Sequence, residues 1–154
     1  FHVERTTQLR PEQFAISLRS TLYAASKHDK LNDEGYKKSK ELISKALAIN
    51  PNLAEAYSAI GWIQYRYEWS FAEAEKSLLK AIEIKPNLPN VYVWLSTIHT
   101  VKGNTDKAIA FAEKAVELEP TFSKALGNLS TTYAYNEKCD KAVELFPRIA
   151  QYMT

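Results

Sequence analysis

The chain has 154 residues and a mass of 17.5 kDa, and 45% of its residues are hydrophobic, enough to bury one core. Its net charge of +2 comes from nine Lys/Arg against six Asp/Glu in residues 1–50 and eleven against twelve thereafter, too dilute a basic field for direct nucleic-acid binding. The single cysteine, Cys139, excludes a disulfide framework, and no run of eighteen apolar residues exists to cross a membrane.

After an N-terminal extension (1–10), Pro11–Lys27 reads as a helix with Phe14, Leu18, Leu22 and Tyr23 on its inner face. Pro11 suits the first helical turn, where the missing amide is not needed. A long link, "HDKLNDEG", leads to a second helix, Tyr36–Asn50, with Leu42, Ile43, Ala46 and Leu47 inward and Pro51 as its stop. The next pair (54–86) centres on Tyr57, Ile60 and Gly61, then Ala74 and Ala81, and ends at Pro86. Its joining stretch, "YRYEWSFAEAE", has no glycine turn, and Tyr67, Trp69 and Phe71 crowd the tip. Two readings stand for that corner: a local hydrophobic plug, or a sticky corner for a partner.

The third pair (89–120) starts with Pro89–Lys102, where Tyr92, Leu95, Ser96 and His99 share one face. Gly103-Asn104 breaks it. Thr105 or Asp106 offers a cap for Lys107–Glu119, whose stripe is Ala108, Phe111, Ala112, Ala115 and Val116, stopped by Pro120. The fourth pair (123–154) carries Leu126, Leu129, Ser130, Tyr133, Ala142 and Phe146. Pro147 is expected to kink its last helix, at about 3 kcal/mol for an interior proline. Phe146, Ile149, Tyr152 and Met153 would then leave apolar surface without a neighbour, to be covered by a second copy in a homodimer or by downstream sequence.

Three near-identical phrases tie these pairs together: "KALAINPN", "KAIEIKPN" and "KAVELEPT", with Pro51, Pro86 and Pro120 spaced by 35 and then 34 residues. A recurrence near 34 residues marks a helical repeat array. Small residues recur in phase where paired helices approach: Gly61 with Ala74, Ser96 with Ala108, Ser130 with Ala142. Large ones fill the holes around them. The expected fold is all-α: a right-handed α-solenoid of antiparallel helix pairs, about four repeats in one domain, the first (11–50) degenerate.

These residues resemble the tetratricopeptide repeat family, most fully at Tyr92, Leu95, Ser96, Ala108, Ala115 and Pro120. The segment "YEWSFAEAEKSLLKAIEIKPN" is also similar to repeat regions at the C-terminal end of bacterial winged-helix regulators and class III adenylate cyclases. The family resemblance implies stacked hairpins whose first helices line a concave groove for another protein or peptide. The groove-facing candidates are Glu55, Ser58, Trp62, Tyr65, Arg66, Asn90, Val93, Thr97, Thr100, Lys124, Asn128 and Thr131, with Gly127 and Tyr135 beside them. Family members that hold chaperone tails use a clamp of Lys and Asn residues. Here Ser58, Trp62, Val93, Trp94 and Thr97 stand at most of those places, and only Lys124 and Asn128 fit, so a chaperone-tail adaptor is not expected.

No chemistry competes with this. His2, His28 and His99 lack metal-ligand spacing, and His99 reads as a satisfied interior histidine. No phosphate loop or nucleophile elbow appears. Glu73/Glu75 and Glu117/Glu119 read as solubility charge on outer faces. The expected function is therefore a non-catalytic protein-binding scaffold without cofactor or metal. The alternative is a regulatory, self-associating domain of a larger bacterial signalling protein. The chain opens at Phe1 rather than Met, as an excised domain or processed product would. A cytoplasmic site is favoured, and a periplasmic one if a parent protein is membrane-anchored.

Overall fold

The computed structural model describes residues 33–152. The expected helix over Pro11–Lys27, with His2, His28 and Met153, lies outside the described residues. Eight helical segments follow one another among the described residues: α1 (Asp33–Ile49), α2 (Ala54–Arg66), α3 (Phe71–Ile84), α4 (Pro89–Val101), α5 (Thr105–Leu118), α6 (Ser123–Tyr135), α7 (Cys139–Glu144) and α8 (Phe146–Gln151). α2 packs on α3, α4 on α5, and α6 on α7 and α8; α4 and α6 also touch the helices before them. The result is an α-solenoid of stacked hairpins.

Small residues set how closely each pair approaches. A Cβ placed on Gly61 would lie 2.6 Å from Leu78 Cγ and Cδ2 and 3.3 Å from the Ala74 carbonyl oxygen. Ser96 and Ala108 are both fully buried in the third hairpin, and Ser130 Oγ donates to the Ala142 carbonyl at 3.2 Å in the fourth. Leu78, Leu95, Ile98 and Leu126 fill the space around these contacts. Hairpins are clasped to one another at the stop prolines. Tyr57 Oη donates to the Pro51 carbonyl (3.1 Å), and Tyr92 Oη does the same to Pro86 (2.9 Å). In the fourth hairpin the equivalent residue is Leu126, which has no hydroxyl. There Arg148 Nη2, from α8, donates to the Pro120 carbonyl at 3.3 Å.

The hairpin tips share one device. Trp69 (φ 55°), Gly103 (φ 74°) and Glu137 (φ 60°) are all left-handed, and each stands two residues before the next helix. After Gly103 and Glu137, the amides of Asn104 and Lys138 reach back five residues, to His99 (2.9 Å) and Tyr133 (2.8 Å), closing the first helix of each hairpin. These left-handed positions are 34 residues apart, whereas α2 and α4 start 35 apart. The extra residue of the second hairpin therefore falls between Arg66 and Trp69. There the Ser70 amide reaches six residues back, to Gln64 (3.0 Å). The longer link swings Glu68 onto α1, where its carboxylate takes Lys40 Nζ (2.5 Å) and the Tyr36 hydroxyl.

Trp69 occupies the place that glycine takes in the third hairpin, with its indole 70% exposed and edge-on to Phe71 at 6.2 Å. A left-handed conformation costs an ordinary L-residue about 1–2 kcal/mol, and glycine is relieved of it. Trp69→Gly is therefore expected to stabilise the domain by about 0.5–1 kcal/mol after glycine's greater chain entropy is counted. A thermal melt should show the gain. A lower midpoint would mean that the Phe71 contact outweighs the strain.

Two sequence expectations change here. Asn104, not Thr105 or Asp106, stands before the first residue of α5, and its side-chain amide turns to His99 Nδ1 (3.2 Å). The last helix is not kinked at an interior proline. It stops at Glu144 and restarts at Phe146, so Pro147 sits in the first turn of α8, where its missing amide costs nothing. The break turns Ile149 inward against the core around Leu126 and Leu129, whereas Phe146 and Tyr152 stay exposed.

Candidate functional site

α2, α4 and α6 lie next to one another, and their free faces make up the candidate groove. At its centre Trp62 of α2 and Trp94 of α4 face one another, ring centroids 6.5 Å apart and tilted by 46°. Trp62 also meets Tyr67 edge-on at 5.3 Å. From α6, Lys124 extends its ammonium over Trp94, 5.4 Å from the ring centroid. Lys124 is an exposed residue, yet the side chains crowded around its ammonium desolvate it and push its pKa below the ordinary lysine value. It has no carboxylate partner among the described residues.

Asn128 lies one turn further along α6. Its Nδ2 donates to Thr97 Oγ1 of α4 at 3.2 Å, and Thr97 Oγ1 in turn donates to the Val93 carbonyl at 2.9 Å. Asn128 Oδ1 is buried without a hydrogen-bond partner. Beneath this, Ser96 Oγ and Thr132 Oγ1 share a buried hydrogen bond of 3.2 Å that joins α4 to α6. Gly127 stands between Lys124 and Thr131 on the same helix, and an added Cβ there would meet nothing within 4 Å. A helix-interior glycine costs about 0.5–1 kcal/mol relative to alanine. Gly127→Ala is thus expected to raise the denaturant midpoint by that increment, and a loss of stability would reveal a clash that the geometry lacks.

The groove thus gathers Trp62, Thr97, Lys124 and Asn128, with Thr131 exposed beside them. Ser58 is half-buried on α2 and Arg66 exposed at its end; Asn90 is exposed at the start of α4. Thr100 Oγ1 is spent on the Ser96 carbonyl (2.9 Å), and Glu55 on Lys85 Nζ (2.8 Å) at the foot of its hairpin. Two candidates move out of the groove. Tyr65 packs on Phe71 of its own hairpin partner, ring centroids 6.1 Å apart. Val93 is only 4% exposed, because α6 closes over it as part of the shared core. The residue missing from the expected groove set is Trp94. Its signal was present: it stands 34 positions before Asn128, in the same place of the preceding repeat.

Glu75 also departs from expectation. It does not face solvent. One oxygen is 3.1 Å from His99 Nε2 and the other 2.6 Å from Lys102 Nζ. Burial alone would raise its pKa, but the Lys102 bond and the charges around it hold the carboxyl below the usual range. Tyr133, equivalent to His99 in the next hairpin, donates to Glu113 at 2.6 Å, and burial with that carboxylate pushes its pKa up to about 12. No three His, Cys, Asp or Glu side chains come together as a metal site would require, among the described residues.

Residues 89–122, the third hairpin with the turn that follows it, match the family model described as tetratricopeptide repeat. Hsp70-Hsp90 organizing protein 3 of Arabidopsis thaliana is 28% identical over 76% of this chain, which spans only 20% of that relative's length. Photosystem I assembly protein Ycf3 of Rippkaea orientalis is 25% identical over 82% of this chain and 79% of its own. Among solved structures, MamA from Desulfovibrio magneticus RS-1 superposes with a TM-score of 0.70 at 18% identity, covering 96% of this chain and 78% of that one. The matched hairpin is a tetratricopeptide repeat, and its in-phase neighbours stack with it in one solenoid.

Proposed function

We propose that this chain is a non-catalytic scaffold that binds another protein through the groove of α2, α4 and α6. The observation that carries this reading is the half-exposed Trp62–Trp94 pair with Lys124, unbridged among the described residues, beside it. Aromatic residues in a partly desolvated cleft are frequent anchors for a partner's side chains. A cation without a partner favours acidic neighbours on the bound segment. The names of the relatives point the same way. One is named as an organizing protein of Hsp70 and Hsp90, and another as an assembly protein of photosystem I.

The groove does not carry a chaperone-tail clamp, since Trp62, Trp94 and Thr97 occupy most of its places. The bound segment is therefore one that offers apolar side chains to the two indoles rather than a terminal carboxylate alone. The immobilised domain should retain a protein from an extract of its source cells, and Trp62→Ala should release it while the helical circular dichroism is unchanged. Retention of the same protein by that variant at equal yield would remove the groove from the reading.

A further inference from the structure

We infer that His99 makes the joint between the second and third hairpins acid-sensitive: its protonation loosens the packing of α3 against α4 and opens the angle between those hairpins. The inference concerns the stacking of repeats and stands whether or not the groove holds a partner.

His99 is 1% exposed and sits where three elements meet. Its ring stacks on Phe111 of α5, centroids 5.4 Å apart and 21° from parallel. Nε2 lies 3.1 Å from Glu75 Oε1 of α3, and Nδ1 lies 3.2 Å from Asn104 Nδ2 in the α4–α5 turn. An amide nitrogen can only donate, so Nδ1 must accept and carry no proton. The single proton is then on Nε2 and is given to Glu75, so the arrangement is built for the neutral ring.

A second proton finds no acceptor in this arrangement. On Nδ1 it would point at Asn104 Nδ2, donor against donor, and the side-chain amide would have to rotate to present Oδ1, breaking the contact as built. The Asn104 backbone is committed in the same turn, its amide to the His99 carbonyl (2.9 Å) and its own carbonyl to the Ala108 amide (2.9 Å). The charges facing the ring are Glu75 from α3, Lys102 at the end of α4 and Lys107 from α5. Glu75 is attractive but already holds Lys102, and both lysines repel an imidazolium. Burial, the largest effect, together with those lysines outweighs Glu75, and the His99 pKa lies below the ordinary histidine value.

The sign follows directly. With the folded pKa depressed, the unfolded chain takes up a proton first, near pH 6.5, while the folded chain does not. Stability from this joint is complete above about pH 6.5 and is lost as the pH falls from there toward the folded pKa. The other joints among the described residues lack the sensor. The equivalent residues are Gln64, which accepts from Ser77 Oγ (2.7 Å), and Tyr133, and neither titrates near neutrality.

The test uses a Trp69→Phe background, in which Trp62 and Trp94 face each other across this joint and dominate the near-ultraviolet circular dichroism. From pH 7.5 to 5.5 the thermal midpoint should fall by about 3 °C, and the tryptophan signal should weaken at the lower pH where the folded chain itself takes up the proton. His99→Gln, which copies Gln64, should abolish both changes. An equal fall in that variant, or a His99 C2 proton that titrates at the ordinary position with the tryptophan signal constant, would overturn the inference. Should His99→Gln fail to fold, Glu75→Gln decides: removing the attractive carboxylate should move the His99 titration further to acid, and an unmoved titration refutes the arrangement.

Discussion

Replacing Gly61 by valine is expected to cost the domain about 3 kcal/mol, enough to lower its thermal midpoint by about 6–12 °C. The first added carbon already falls 2.6 Å from two carbons of Leu78, inside any permitted contact. Leu78 is fully buried, so it has no free space into which to rotate. The Ala74 carbonyl, 3.3 Å away, is backbone and cannot yield without moving α3. The two remaining methyl groups of valine add to the collision. Some compensation comes from helix propensity, because almost any residue is better than glycine in a helix interior, by up to about 1 kcal/mol. That gain is smaller than the overpacking it brings. Gly61→Ala isolates the first carbon and should lose less, about 1–2 kcal/mol. Urea unfolding of both variants reads the series directly. An unchanged midpoint for valine would mean that α2 and α3 can separate freely, contrary to the close approach on which the hairpin is built.

Trp94→Ala is expected to weaken partner binding by about 2 kcal/mol or more, on the order of 30-fold in Kd. The ring is half-exposed, lies against Trp62 and carries the Lys124 ammonium over its face. Its removal leaves Lys124 without the ring beneath it and leaves Trp62 with only Tyr67 beside it, so the anchor is lost and the charge loses its support. Lys124→Ala removes the charge but leaves both indoles, and should act mainly on the association rate and its salt dependence. Isothermal titration with a captured partner separates the two patterns. Equal affinity for the wild type and Trp94→Ala would shift attention to the exposed indole of Trp69, on the hairpin tip outside the groove.

The repeat phase was legible because it rests on residues that physics forces to be small or large at fixed intervals. Gly61, Ser96 and Ser130 stand where helices touch, and their spacing announces three hairpins before any coordinate is known. His99 was legible as an interior histidine for the same reason, since it shares a face with Tyr92 and Leu95. Glu75 was not, because its burial depends on the helix that follows its own hairpin. A helical wheel of α3 alone cannot show that Lys102 and His99 arrive beside it. The groove was legible in position but not in width. α4 is flanked by α5 and by both adjoining hairpins, so the strip left free is narrower than the face turned from its own partner. Val93 falls outside that strip and Trp94 within it. The last helix was misjudged at Pro147 because a proline reads alike as a kink in a long helix or as the start of a short one. The turn at Leu145, whose amide reaches the Ala142 carbonyl three residues back at 3.3 Å, decides between them.

The clasps on the stop prolines carry a kinetic consequence. Tyr57 and Tyr92 reach carbonyls six residues away, so those two joints close by local search as soon as each new helix begins to form. Arg148 reaches a carbonyl 28 residues away and must wait for α6, α7 and α8 to be in place. Assembly therefore runs with the direction of synthesis, the second and third hairpins registering early and the fourth locking last. The same asymmetry governs opening: amides of α7 and α8 exchange with solvent once the Arg148 clasp and the few contacts of Ala142 and Ile149 with α6 release, while those of α4 and α5 wait for the whole stack to come apart.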